Sequence, residues 1–243
     1  PNGPYQFNFD YWYLSFRTGG LEVWAGRNQL SFCHQDDLFL IDNVTFAGVG
    51  GSYSHPMEGG DMTWHANYVA LPVGMRDFSG TSLIAQAEFS STGFSLGAGY
   101  FGSRADPDDP AGEALLTENN TRDYDVLNLQ LQHRSTVLGR PLRLGAEYGR
   151  NFRDYSQAPA GSFSEFHQKH VDGWVLEALW GPSGDAGDLQ VGYYYSHMEA
   201  LAANSSYIQD DWARWGTSTQ ARLTNMKGSE FRVLFTITPN QNI

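Results

Sequence analysis

A strict two-residue alternation over Asp123 to Phe152 constrains this chain more than any other feature. Leu127, Leu129 and Leu131 alternate with Asn128, Gln130 and Gln132. After a break over Ser135 to Arg140, Leu142, Leu144, Ala146 and Tyr148 alternate with Arg143, Gly145, Glu147 and Gly149. Successive side chains of a strand point to opposite faces, so each run has one apolar and one polar face. Two assignments are open. A soluble sheet buries the apolar face in a core and wets the polar one. A transmembrane barrel turns the apolar face to lipid and the polar face to an aqueous lumen.

The same period recurs along the 243 residues. Strands are expected over Tyr5 to Arg17, Leu21 to Phe32, Val44 to Ser54, Met62 to Leu71, Thr81 to Ser90 and Phe94 to Phe101. Further strands follow the central hairpin at Val171 to Trp180, Asp188 to Glu199 and Ser229 to Thr238. Cys33 to Asn43, Pro72 to Gly80, Gly102 to Arg122, Arg153 to Lys169 and the polar Ala200 to Gly228 read as loops. No amphipathic helix of ordinary length, linker or fixed-period repeat interrupts the series. Short connections alternate with long ones. One end of the sheet therefore carries turns and the other carries loops, as in outer-membrane barrels. The strands are also long for a soluble sheet. Trp12, Trp24, Tyr53, Tyr100, Tyr148, Trp174 and Trp180 stand near strand ends, where interfacial girdles put aromatics.

Composition narrows the function classes. The mean hydropathy of -0.43 argues against helical membrane spans but not against a barrel, whose strands are half polar. The net charge of -12, from 15 basic and 27 acidic residues, disfavours a nucleic-acid partner, whose phosphates need basic patches. The single Cys33 excludes an internal disulfide.

Several segments resemble a family of bacterial outer-membrane porins. They are LEVWAGRNQLSF with DDLFLIDNVTFAGVGGSYS, DYDVLNLQLQ with PLRLGAEYGRNF, GDLQVGYYYSHMEA, and NMKGSEFRVLFTITPN. Their order along most of the chain carries the resemblance more than any one motif. A looser similarity to alginate-export porins lies at AGRNQLSF, where Ala25-Gly26-Arg27 precede a loop and then Phe46-Ala47-Gly48-Val49. The resemblance implies an all-β fold: a transmembrane antiparallel up-and-down β-barrel, with residues 1–243 forming a single domain. About 11–12 strands fall in this chain, whereas bacterial single-chain barrels use an even number. Strands are expected to precede Tyr5 and to follow the turn at Thr238 to Asn242. The chain then reads as an internal portion of a barrel of about sixteen strands, a size that holds an aqueous channel. A rival count makes Trp215 to Thr224 the twelfth strand.

If the apolar faces meet lipid, the pore-lining candidates are Arg17, Glu22, His65, Glu88, Arg134, Arg143, Glu147, Glu177 and Arg232. Arg134 and Arg143 share a hairpin end, and an internal basic cluster would mildly favour anionic solutes. The alternative is that these charges pair with each other and hold shape. Arg27 has the parity of Val23 and Ala25, which a bulge or a membrane-edge position would explain.

The metal signals are weak. His34, Asp36 and Asp37 near Cys33 read as polar loop residues. Asp106, Asp108 and Asp109 are oxygen ligands of the kind calcium takes, but Pro107 and Pro110 interleave them and no EF-hand pattern is present. His167 and His170 stand three apart in a loop and read as a chance pair. No nucleophile elbow, P-loop or zinc-protease motif occurs, and no cofactor is expected.

The reading is a non-enzymatic porin of the bacterial outer membrane that passes small hydrophilic solutes or ions. Its expected partners are outer-membrane lipid and the solutes, with a homotrimer as the expected assembly. One rival is a soluble carbohydrate-binding or glycosidase-like β-protein acting through a carboxylate pair such as Glu147 and Glu177. Another is a barrel that serves as a dedicated exporter or scaffold.

Overall fold

The computed structural model describes residues 11–32, 44–72, 78–104, 123–204, 207–208, 224–238 and 241–242. They form one antiparallel sheet in which each strand pairs with its neighbours in sequence. The strands are β1 (Trp12–Thr18), β2 (Leu21–Asn28), β3 (Phe46–Met57), β4 (Gly60–Pro72), β5 (Phe78–Ser90) and β6 (Phe94–Arg104). There follow β7 (Asp123–Val137), β8 (Arg140–Asn151), β9 (Asp172–Trp180), β10 (Leu189–Met198) and β11 (Met226–Thr238). Gln241–Asn242 turn back on β11 as a two-residue β12. The only helix among the described residues is the five-residue α1 (Phe163–His167), between β8 and β9.

The topology is up-and-down throughout, as the alternation implied. The described sheet is open: β1 and β12 are its edges and do not pair with each other. Asp106, Asp108, Asp109, the Cys33 to Asp37 cluster and residues 215–223 of the rival twelfth strand lie outside the described residues.

The two faces are separated cleanly, and in an unusual sense. On β7 and β8, Leu129 and Leu144 are 43% and 42% exposed, while Gln130 and Glu147 are 6% and 2% exposed. On β11, Phe231, Val233, Phe235 and Ile237 are all exposed. The register carries this across strands. Leu144, Ala178, Tyr193 and Phe231 stand side by side on β8 to β11, as do Leu142, Trp180, Val191 and Val233. The exposed face is thus one continuous apolar surface, far larger than a soluble monomer ordinarily shows.

The polar face is the concave one. Tyr207 packs on Leu71 of β4 and sets its ring 5.9 Å from that of Phe46 on β3. Ile208, the next residue, packs with Tyr124 and Val126 of β7 and Met198 of β10. One short segment can meet strands that far apart only if the sheet curls around it. Glycines on the concave face make room for long polar neighbours. Gly97 stands opposite Gln130 and Gly145 opposite Glu177. A Cβ at Gly97 would meet the Gln130 side chain at 3.4 Å.

All of the short connections lie at one end. Leu138 and Gly139 close β7 and β8 with φ of +54° and +73°, the two positive values of a type I′ turn. The strands thereby run on to Val137 and resume at Arg140, so the expected break over Ser135 to Arg140 shrinks to two residues. Gly26, with φ +132°, accounts for Arg27. The ladder keeps its register there, but the backbone rotates and Arg27 Nε donates to Thr45 Oγ1 at 2.8 Å. A left-handed backbone at Gly26, rather than a register-shifting bulge, breaks the alternation. Trp24, expected in a girdle, is instead buried on the concave side and donates to Ser31 Oγ.

Leu138 is fully in solvent and pays for a left-handed backbone without any packing in return. Leu138→Asn is expected to stabilise the hairpin by about 1 kcal/mol. A rise in the urea-unfolding midpoint of the chain checks this, with Leu138→Val, β-branched and worse in that conformation, moving it down.

Candidate functional site

The concave face is built from rows of cross-strand neighbours. One row runs Gly97, Gln130, Glu147, Val175, Ser196 and Gly228 across β6 to β11. The next runs Gln132, Gly145, Glu177, Tyr194 and Glu230, and the third Arg134, Arg143, Leu179, Gly192 and Arg232. Amides occupy the middle and charges gather toward the turn end. All nine candidates, Arg17, Glu22, His65, Glu88, Arg134, Arg143, Glu147, Glu177 and Arg232, project from this face by strand parity.

The structure brings most of them into pairs. Asn128 Nδ2 donates to Glu147 Oε1 at 2.7 Å, and Gln130 Nε2 donates to Asn128 Oδ1 at 3.0 Å. Arg143 clasps Glu177 with Nε at 2.7 Å from Oε1 and its terminal nitrogen at 3.0 Å from Oε2. Arg17 reaches Glu22 at 2.6 Å. Arg232 pairs with Glu230 along its own strand and sets its guanidinium 4.4 Å from the Tyr194 ring centre. Sequence reasoning passed over Glu230, although its parity with Arg232 was a usable signal.

These pairs change the electrostatic reading. Arg17, Arg143 and Arg232 are each neutralised by a carboxylate, so the expected cationic cluster is not expressed as free charge. Arg134 stands directly opposite Arg143, which turns away from it toward Glu177. The basic cluster narrows to Arg134, which weakens the expected preference for anions. Glu147 and Glu177, the pair named for a glycosidase, are held by separate donor sets: amides for one, a guanidinium for the other. His65 sits half-buried beside Glu88, with no hydrogen bond to either ring nitrogen within the described residues.

At the loop end the concave face is covered from within. Ala200, Leu201 and Ala202 are fully buried, and Ala203, Asn204, Tyr207 and Ile208 nearly so. The segment after Glu199 is expected as a polar loop; its described residues 200–204 and 207–208 are irregular, as expected, but buried. Asn151 is the anchor: its Nδ2 donates to the Leu201 carbonyl and to Tyr155 Oη, both at 2.8 Å. Tyr155 in turn donates to the Asp123 carbonyl at 2.7 Å. Burial pushes the Tyr207 phenol well above its ordinary range, so it stays protonated. Leu30 and Phe32, past the end of β2, pack on the same cover. Local periodicity could not reveal this segment, because its contacts join residues 50 positions apart.

Aromatics collect at both ends of the apolar face. Tyr53 and Trp64 stack at 5.8 Å near the turns, and Trp180 Nε1 donates to the Val137 carbonyl there. At the loop end Trp174 lies flat on His197 at 4.1 Å. Tyr148 donates to Asp172 at 2.5 Å, and Tyr100 donates to Asp125 at the same distance. Each phenol points its oxygen toward charge and keeps its ring on the apolar side.

No protein-family model matches this chain, and no curated protein matches it.

Removing Arg143 leaves the nearly inaccessible Glu177 carboxylate without its partner. Arg143→Met is expected to cost roughly 1–3 kcal/mol, and pairing it with Glu177→Leu to recover most of that loss. A double-mutant cycle on urea unfolding measures both.

Proposed function

We propose that this chain is part of an outer-membrane β-barrel porin that passes small hydrophilic solutes by diffusion. One observation carries the reading. The apolar face of the sheet is the exposed convex one, and the amide- and charge-bearing face is the concave one. Water cannot solvate a surface such as that of Leu129, Leu144, Phe231 and Val233 without cost. A hydrocarbon bilayer can, and strands cross it only when every backbone group is paired within the sheet. The strands from β2 to β10 are paired on both sides, and in this reading further strands close the outer edges. The aromatic residues at the two ends of the apolar face suit the headgroup levels.

In this reading the rows of Gln130, Glu147, Glu177 and Arg143 line the water-filled side. They offer passing solutes hydrogen bonds in place of part of the hydration shell. The paired charges hold the wall's shape and leave weak ion selectivity. The buried segment after Glu199 narrows the loop-side mouth. The chemistry is passive, with no catalytic step and no cofactor. The resemblance of the strand motifs to bacterial outer-membrane porins points the same way.

Reconstitution in planar bilayers tests the channel. Stepwise conductance that reverses near zero potential in asymmetric salt is expected; silent insertion would favour a plugged scaffold. The orientation of the faces has its own test. Leu129→Arg is expected to destabilise the bilayer-inserted protein by about 2–4 kcal/mol. A soluble sheet would gain solubility from the same exposed arginine, so improved behaviour without detergent would defeat the reading.

A further inference from the structure

The long connection between β8 and β9 carries a feature that a channel does not require. Helix α1 ends at His167, and the chain turns at once so that the His170 N–H donates to the His167 carbonyl at 2.7 Å. This turn sets the two imidazoles edge to edge, with Nδ1 of His167 and Nδ1 of His170 3.1 Å apart. The rings are held from behind. His167 lies 4.3 Å from the Phe163 ring and 4.9 Å from the Phe166 ring. Ser162 caps α1 by accepting from the Glu165 N–H, and the Leu201 N–H donates to the His170 carbonyl at 2.8 Å.

We propose that His167 and His170 form a two-imidazole site for a divalent transition-metal ion of the copper, nickel or zinc class. The separation is the first argument. Two nitrogens each ~2.0–2.1 Å from one ion stand about 3.3–3.4 Å apart at a tetrahedral angle and about 2.9 Å apart at a right angle. The observed 3.1 Å falls between these. The donor type is the second. Imidazole suits copper, nickel and zinc, whereas calcium and magnesium take oxygen. Nearby carboxylates are engaged elsewhere: Glu165 accepts from the Gly161 N–H and Glu199 from the Asp172 N–H. Two imidazoles fill two positions of such an ion and leave the others open to water or a further donor.

Without metal, one Nδ1 donates its proton and the other accepts it. Binding moves that proton to Nε2 of the same ring, a tautomer change with no net proton release. Both Nδ1 lone pairs then face the ion. Because the His170 carbonyl is tied to Leu201, the site sits where the β8–β9 connection meets the buried cover of the concave face. This site stands on the geometry of the turn and does not depend on the channel reading.

The test uses the full chain in detergent micelles titrated with cupric ion, followed by electron paramagnetic resonance. One ion per chain with two equatorial imidazole nitrogens is expected. His167→Gln, at a partly exposed position, and His170→Gln, at an exposed one, are each expected to weaken binding roughly tenfold or more. Lys169 lies between the two ligands, which gives a second readout. Trypsin cleavage after Lys169 should slow with copper in the parent and not in His170→Gln. Absence of saturable binding overturns the site. So does binding unchanged in both variants, which places the ion on other histidines, or weakened in only one, which shows a single-histidine contact.

Discussion

The backbone ladder is the constraint on which the rest depends. Each interior strand gives its hydrogen bonds to the strand before and the strand after it in sequence. The register runs without a shift from β1 through the last long pairs, except near Ala70 to Pro72. A ladder that regular locks side-chain parity to face, since a one-residue slip would exchange the two faces. Leu129 then has to share a surface with Leu144 and Phe231, and Gln130 with Glu147. Everything chemical in the molecule follows from which of those surfaces is convex.

Curvature in turn rests on side-chain size. On the concave face Gly97 stands opposite Gln130 and Gly145 opposite Glu177, so long polar side chains there face small neighbours. That close packing makes ion pairs the natural state of its charges. Arg143 and Glu177 meet in a place where an unpaired carboxylate is costly. The cover at the loop end is a different device. It is apolar, and it uses Asn151 to satisfy a backbone carbonyl that burial would otherwise orphan.

The sequence made the strands legible because a period of two is a local signal. Strand order, the turn end and the face of every candidate from Arg17 to Arg232 could be read without coordinates. Trp24 faces inward, as its parity dictates, in spite of its place near a strand end. The break over Ser135 to Arg140 is narrower than expected because Leu138, a poor turn residue, nonetheless adopts the turn. The pairing of Arg143 with Glu177 spans 34 positions, and the hold of Asn151 on Leu201 spans 50. Periodicity carries no trace of such partners. The facing nitrogens of His167 and His170 depend on a turn geometry that a three-residue spacing leaves open.

The convex surface has a consequence for how such a chain changes over time. Its positions ask only for greasiness, so Leu, Val, Phe and Ile can trade places there with little penalty. The inner wall is far less forgiving, because glycines such as Gly97 and Gly145 stand opposite long neighbours, Gln130 and Glu177. Half of the residues can therefore drift while the architecture stands still. What is inherited is a rhythm of in and out, more than the spelling of any one strand.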